Sequence, residues 1–215
     1  MKRIAIFDLI FYAAIPYFIW NFAKEPLGDY YSMLLSTIPG IFYTGYRFYK
    51  EKQFNITGLF IISSLCCSTS VNLLSRNAET MLWNQVYLGY FFVAVFLISM
   101  IVKKPLALYF AADFAVLQGH ERASSIALFS SKGLFNWFQL LTALFVFRGL
   151  CQNLLKSWLI ASYGVDGYGK IIIYLNITEW IFSSIITLAF IIVSFKIRKF
   201  SMKNGFTSSL SELNT

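Results

Sequence analysis

Apolar positions along this chain do not alternate with polar ones; they run on for the length of a bilayer crossing and then stop. A spanning helix needs roughly 20 mostly apolar residues, and six stretches qualify: 4–22, 30–49, 56–75, 82–102, 134–160 and 171–195. Between them, AKEPLGD at 23–29 and SYGVDGYGK at 162–170 supply the Gly, Pro and Asp of tight turns. Both are too short for a folded outer domain. The pattern predicts an all-α fold, a polytopic membrane bundle of six transmembrane helices in three hairpins, forming one domain over residues 1–200. Each hairpin ends in a basic cluster, RFYKEK from 47, VKKP from 102 and KIRK from 196, with no residue-level repeat linking them.

The longest connection, 103–133, is neither polar enough for a free linker nor apolar enough to span. Its PLALYFAADFAVLQ at 105–118 predicts a short helix in the headgroup plane, with Leu, Tyr and Phe dipping into the acyl boundary. GHERASS then reads as a cytoplasmic loop, and 201–215 as a disordered tail. The first segment follows Lys2 and Arg3 as a secretory signal would, but no small-residue cleavage site follows it and five more spans do. It reads as a retained anchor. Pro16 and the pair Pro39 and Gly40 predict kinks in the first two spans.

Composition agrees with lipid as the solvent: 58% of residues are apolar, 19% aromatic and only 13% charged. The net charge of +8 would suggest nucleic acid on a soluble basic face; its distribution says otherwise. With the N-terminus in the cytoplasm, thirteen Lys and Arg fall inside (Lys2, Arg3, Arg47, Lys50, Lys52, Lys103, Lys104, Arg122, Lys132, Lys196, Arg198, Lys199, Lys203). Only four, Lys24, Arg76, Lys156 and Lys170, fall outside. This is the positive-inside pattern of a multi-pass protein with both termini in the cytoplasm. The same excess attracts anionic lipid, with Arg47, Lys50, Lys103 and Lys104 as headgroup contacts. Trp20, Tyr30, Tyr31, Trp83, Trp137 and Trp158 fall near span ends, where amphipathic rings favour the interface.

Counting Arg47 with the inner side and Lys156 with the outer side leaves three charged residues within the spans: Asp8, Arg148 and Glu179. A charge at the bilayer centre costs about 2.5–3.5 kcal/mol on insertion scales, so it faces a partner or water. Arg148 lies near mid-span and Glu179 a few ångströms outward of it on the neighbouring antiparallel helix. An ion pair between them is predicted. Asn176, Glu179, Ser183 and Thr187 share one helix face, and Gln152 lies one turn from Arg148. Both stripes are expected to face the bundle interior, where they either fix how two helices dock or line a polar site for a headgroup, proton or ion. In the third span, GLFIISSLCCSTSVN is unusually small and hydroxyl-rich. It reads as the central packing helix, with a pore wall as the alternative.

Other chemistry is sparse. Cys66, Cys67 and Cys151 lie within spans and behave as small hydrophobes, with no metal-ligand spacing. His120, the only histidine, sits in the polar loop without partners. The sequons at Asn55 and Asn176 fall on the cytoplasmic side and within the membrane. No nucleotide-binding, zinc-protease or hydrolase motif occurs. No cofactor, metal site or catalytic residue is assigned.

FDLIFYAAIPYFIW from residue 7, YRFYKEKQFNITG from 46 and above all FFVAVFLISMIVKKPLALYF from 91 resemble the bacterial intracellular septation protein A family and related uncharacterised small inner-membrane proteins. FNWFQLLTALFVFRGLCQNLLKSWL from 135 is similar to that family's penultimate span, with Trp137 near its start, Gly149 followed by Asn153, and Trp158 near its end. Lys103, Lys104 and Pro105 are the most specific part; the chain departs from the pattern in its longer 105–133 stretch and in Arg148. The resemblance implies a bacterial cytoplasmic-membrane protein of envelope synthesis and septation, working through membrane partners. The expected function is therefore non-enzymatic envelope maintenance through lipids, other envelope or division proteins, or a second copy of the chain. A small transporter or channel with its site at Arg148 and Glu179 is the alternative.

Overall fold

A computed structural model describes residues 2–50 and 55–203. Its elements are α1 (Lys2–Leu9), a π-helical turn (Ile10–Ala14), α2 (Ile15–Lys50), α3 (Ile56–Leu74), α4 (Ala78–Ile101), α5 (Leu106–Leu117), α6 (Arg122–Phe129), α7 (Lys132–Tyr163), a short 3-10 turn (Val165–Gly167) and α8 (Tyr168–Lys203). No strand occurs among the described residues. Five helical segments are long and apolar enough to cross a membrane, which marks a multi-pass membrane protein. Lys52 and residues 204–215 of the predicted tail lie outside the described residues, whereas residues 201–203, expected to be disordered, continue α8.

The 36 residues of α2, at about 1.5 Å each, far exceed the roughly 30 Å hydrocarbon thickness. The segment resolves this by folding back at Gly28, whose backbone (φ 75°, ψ 171°) is the one non-helical point inside it. Asp8 meets Arg47, Phe11 stacks on Tyr43 at 4.7 Å and Tyr12 bonds Thr44 at 2.7 Å. Each pair is placed symmetrically about residues 27–28, the signature of an antiparallel hairpin. The breaker AKEPLGD thus acts at one residue, with helix on both sides of it. That backbone region is essentially reserved for glycine, whereas a Cβ at residue 28 would meet nothing within 4 Å. Gly28→Ala therefore carries a pure backbone cost, expected at about 1–3 kcal/mol and measurable as a lower denaturant midpoint in micelles.

Pro16 leaves its mark one turn earlier. Lacking an N–H, it cannot bond the Tyr12 carbonyl four residues back, and the helix loosens into the π turn at Ile10–Ala14. Pro39 sits inside α2 with no comparable break.

The chain divides into two compact units. The first comprises Met1–Ala94 and Arg148–Ile181. Here α3 and α4 form a second hairpin, with Phe60 against Phe92 and Asn72 against Gln85. The last segments form a third, with Arg148 opposite Glu179. All three turns lie at one end: Tyr30 donates to the Asn72 carbonyl (3.1 Å), Lys24 pairs with Asp166, and Trp20 packs edge-on against Tyr168 at 5.0 Å. The core fills that end, built on Met33, Met81, Leu82, Leu159 and Ile171. Trp20 belongs to it, 2% exposed, and does not sit in an interfacial belt as the sequence suggested; Tyr31 and Trp158 are exposed. The sequence reading of α3 is also corrected. Only Gly58 and Asn72 are buried along it, while Ser63, Cys66, Cys67 and Ser70 face outward. A helix this rich in small residues lacks the side-chain volume to anchor a core, and it packs at the edge.

The second unit comprises Val95–Phe147 and Phe182–Thr215. Residues 105–118 are helical as predicted, but Ala107, Leu108, Ala112 and Ala115 of α5 turn inward onto Leu134, Phe138, Leu141 and Val193. Small residues every three or four positions let this short helix lie close to its neighbours; Phe114, Val116 and Leu117 remain exposed. GHERASS is a loop only as far as Glu121, since α6 starts at Arg122. Asp113, 2% exposed, accounts for that: Arg122 donates to it at 3.0 Å, and a buried carboxylate needs such a partner. In this unit α4 ends in a motif that explains VKKP. Lys104 N–H bonds the Ser99 carbonyl, Lys103 N–H bonds that of Met100, and Lys103 adopts φ 54° before Pro105 stops the helix.

Candidate functional site

The polar residues predicted within the spans divide into three places. Arg148, at the midpoint of α7, and Gln152, one turn on, share a helix face. Arg148 Nε donates to Glu179 Oε2 at 3.1 Å and its Nη2 donates to Oε1. Gln152 Nε2 adds a third donor to Oε2 at 3.3 Å. A planar guanidinium matched to a carboxylate by two parallel bonds is the strongest ion-pair geometry available to side chains. The pair is not sealed inside protein as expected, however: the side chains of Arg148 and Glu179 are 31% and 39% accessible.

Asn176 does not join this cluster. Its Nδ2 donates to the Tyr12 carbonyl at 3.2 Å and to Ile172 O at 2.8 Å, so it serves the carbonyl that Pro16 cannot. Ser183 is exposed, contrary to the interior stripe expected, and so is Thr187; the Thr187 hydroxyl bonds back to the Ser183 carbonyl at 2.7 Å. Asp8 forms a separate group in the first hairpin. It accepts from Tyr43 at 2.8 Å and Arg47 at 3.3 Å, which draws part of the Arg47 guanidinium away from the headgroup role expected of it.

A site missed in the sequence lies in the first unit. There, a cleft of about 430 Å³ is lined by Thr44, Ile61, Ser64, Leu65, Ser68, Gln85, Leu88, Gly89, Phe92 and Lys156. Lys156 Nζ donates to Gln85 Oε1 at 2.5 Å, and Gln85 Nε2 donates to Asn72 Oδ1 at 2.8 Å. The buried Asn72 thus fixes the Gln85 amide so that its oxygen meets the ammonium. Lys156 was available as a signal, being a lysine inside the 134–160 stretch, but nothing local in sequence points to Gln85.

Lys50 lies over the Tyr46 ring at 5.6 Å, and Lys103 and Lys104 are exposed at the stop of α4. A left-handed backbone normally favours glycine. Lysine at 103 instead puts a cation beside the negative end of the helix dipole. Asn55, the first sequon residue, is a cap: its Oδ1 accepts the Gly58 N–H at 2.9 Å. His120 is exposed. No group of three His, Cys, Asp or Glu among the described residues could hold a metal ion. No protein-family model, curated protein or solved structure matches the chain.

Proposed function

We propose that this chain is a non-enzymatic protein of a bacterial cytoplasmic membrane, crossing six times as one domain with both termini inside. It serves envelope maintenance or septation through contacts with lipids and with other envelope or division proteins, or with a second copy of itself. The observation that carries the reading is the common placement of the turns at residues 28, 75–77 and 164–167 at one end of the first unit. The basic side chains Arg47 and Lys50 close α2 away from its turn, as the positive-inside pattern requires. The family resemblance supplies the envelope context.

The partial accessibility of the Arg148 and Glu179 side chains favours a second reading, in which the pair lines the path of a small transporter or channel. Topology tests the first reading directly. In a variant with Cys66, Cys67 and Cys151 replaced by serine, a cysteine at Lys104 stays unlabelled by an impermeant maleimide added outside intact cells, whereas one at Ser162 labels. Labelling at 104 overturns the orientation.

A further inference from the structure

The cleft of the first unit contains an unbalanced charge. Among the described residues no carboxylate pairs with Lys156, whose ammonium has only the neutral Gln85 carbonyl oxygen. Every other intramembrane charge identified above has an opposite partner: Asp8 has Arg47 and Arg148 has Glu179. A cation held in a membrane-embedded cleft without a counter-charge is a costly arrangement unless an anion or water completes it. The lining follows a gradient along the helices. Lys156 lies seven residues from the end of α7 and Gln85 seven from the start of α4, roughly 10 Å in from the end that holds the turns. Ser68, on the same level of α3, has no hydrogen-bond partner among the described residues. Farther in, Leu65, Leu88, Ile61 and Phe92 line the walls, Phe60 packs against Phe92 at 5.7 Å, and the hydroxyls of Ser64 and Thr44 are turned back to carbonyls of their own helices.

We propose that this cleft is a binding site for a phosphate group, carried by an anionic lipid or free in solution, with an oxyanion oxygen on Lys156 Nζ and a second accepting from Ser68. The apolar depth beyond them suits a lipid chain, and the volume falls within the range of small-molecule sites, about 300–1,000 Å³. Asn72 and Gln85 are positioning residues, holding the ammonium toward the cleft. The site deepens the lipid-contact reading, and the two fail separately: labelling on the wrong face refutes the orientation and leaves the cleft untouched.

The test is the thermal midpoint of the full-length protein in a neutral detergent, titrated with phosphatidylglycerol, phosphatidylcholine or inorganic phosphate. Phosphatidylglycerol raises the midpoint of the wild type and phosphatidylcholine does not. Lys156→Gln weakens the apparent affinity by about thirtyfold or more, the loss expected when one partner of a desolvated charge pair is removed, and Lys156→Arg restores most of it. Should Lys156→Gln not fold, Ser68→Leu fills the cleft beside an intact Lys156 and abolishes the response alone. Inorganic phosphate that acts with the same dependence on Lys156 assigns the site to a soluble anion. Equal stabilisation by both lipids, or an unchanged phosphatidylglycerol response in Lys156→Gln and Ser68→Leu, overturns the proposal.

Discussion

Arg148→Met lowers the unfolding free energy by about 2.5–3.5 kcal/mol, the cost of a charge left near the bilayer centre, and the double variant with Glu179→Met recovers most of the loss. The single change removes both guanidinium bonds and leaves the Glu179 carboxylate with Gln152 as its donor from α7. Two methionines together bury no charge, and apolar replacement of an ion pair is often neutral or better. Denaturant titration of the four proteins in the cycle reads the coupling directly. If the two single losses simply add in the double variant, the pair is not an energetic unit and the docking role is wrong. A stable double variant that has lost solute flux in liposomes instead moves the pair into the transport reading.

Gly89→Leu has an effect of similar size for a steric reason. A Cβ at residue 89 would stand 1.9 Å from Asn153 Oδ1, and one at Gly149 would stand 2.6 Å from Val93 Cγ2. These reciprocal glycines let α4 and α7 approach at backbone distance, as small residues do between helices in lipid. The Asn153 side chain, 8% exposed, occupies the space over Gly89 while bonding the Gly149 carbonyl at 2.8 Å. A leucine must push the helices apart or expel that amide, at a cost of about 3 kcal/mol or more. Gly89→Ala costs less, and Asn153→Ala added to it restores stability by vacating the contested volume. A Gly89→Leu protein that unfolds at the wild-type midpoint would falsify this close approach.

What the sequence made legible was whatever depends on one helix or on two consecutive ones. Span length marked the long helices, and depth along antiparallel neighbours was enough to bring Arg148 to Glu179, because rise per residue converts spacing into height. Contacts between distant segments were not legible. Asn176 shares a helical face with Glu179, yet its amide goes to Tyr12, because only the fold brings the carbonyl freed by Pro16 within reach. Trp20 sits where an interfacial ring belongs by depth, but its burial is decided by Tyr168, far away in sequence. The hydroxyls of α3 indicated a special helix without saying which side of it would matter: Ser64 and Ser68 line the cleft, while Ser63 and Ser70 face away. Lys156 was legible as a charge and not as a site, since its partner lies 71 residues earlier.

The bond from Asn176 to the Tyr12 carbonyl also sets an order in time. The two residues are 164 positions apart, and at roughly 5–20 residues per second of synthesis the second emerges some ten to thirty seconds after the first. Throughout that interval the first hairpin lies in the membrane without the donor that completes its π turn. The newborn chain therefore carries the Tyr12 carbonyl unmet until α8 arrives, and α8 then ties the third hairpin back onto the first.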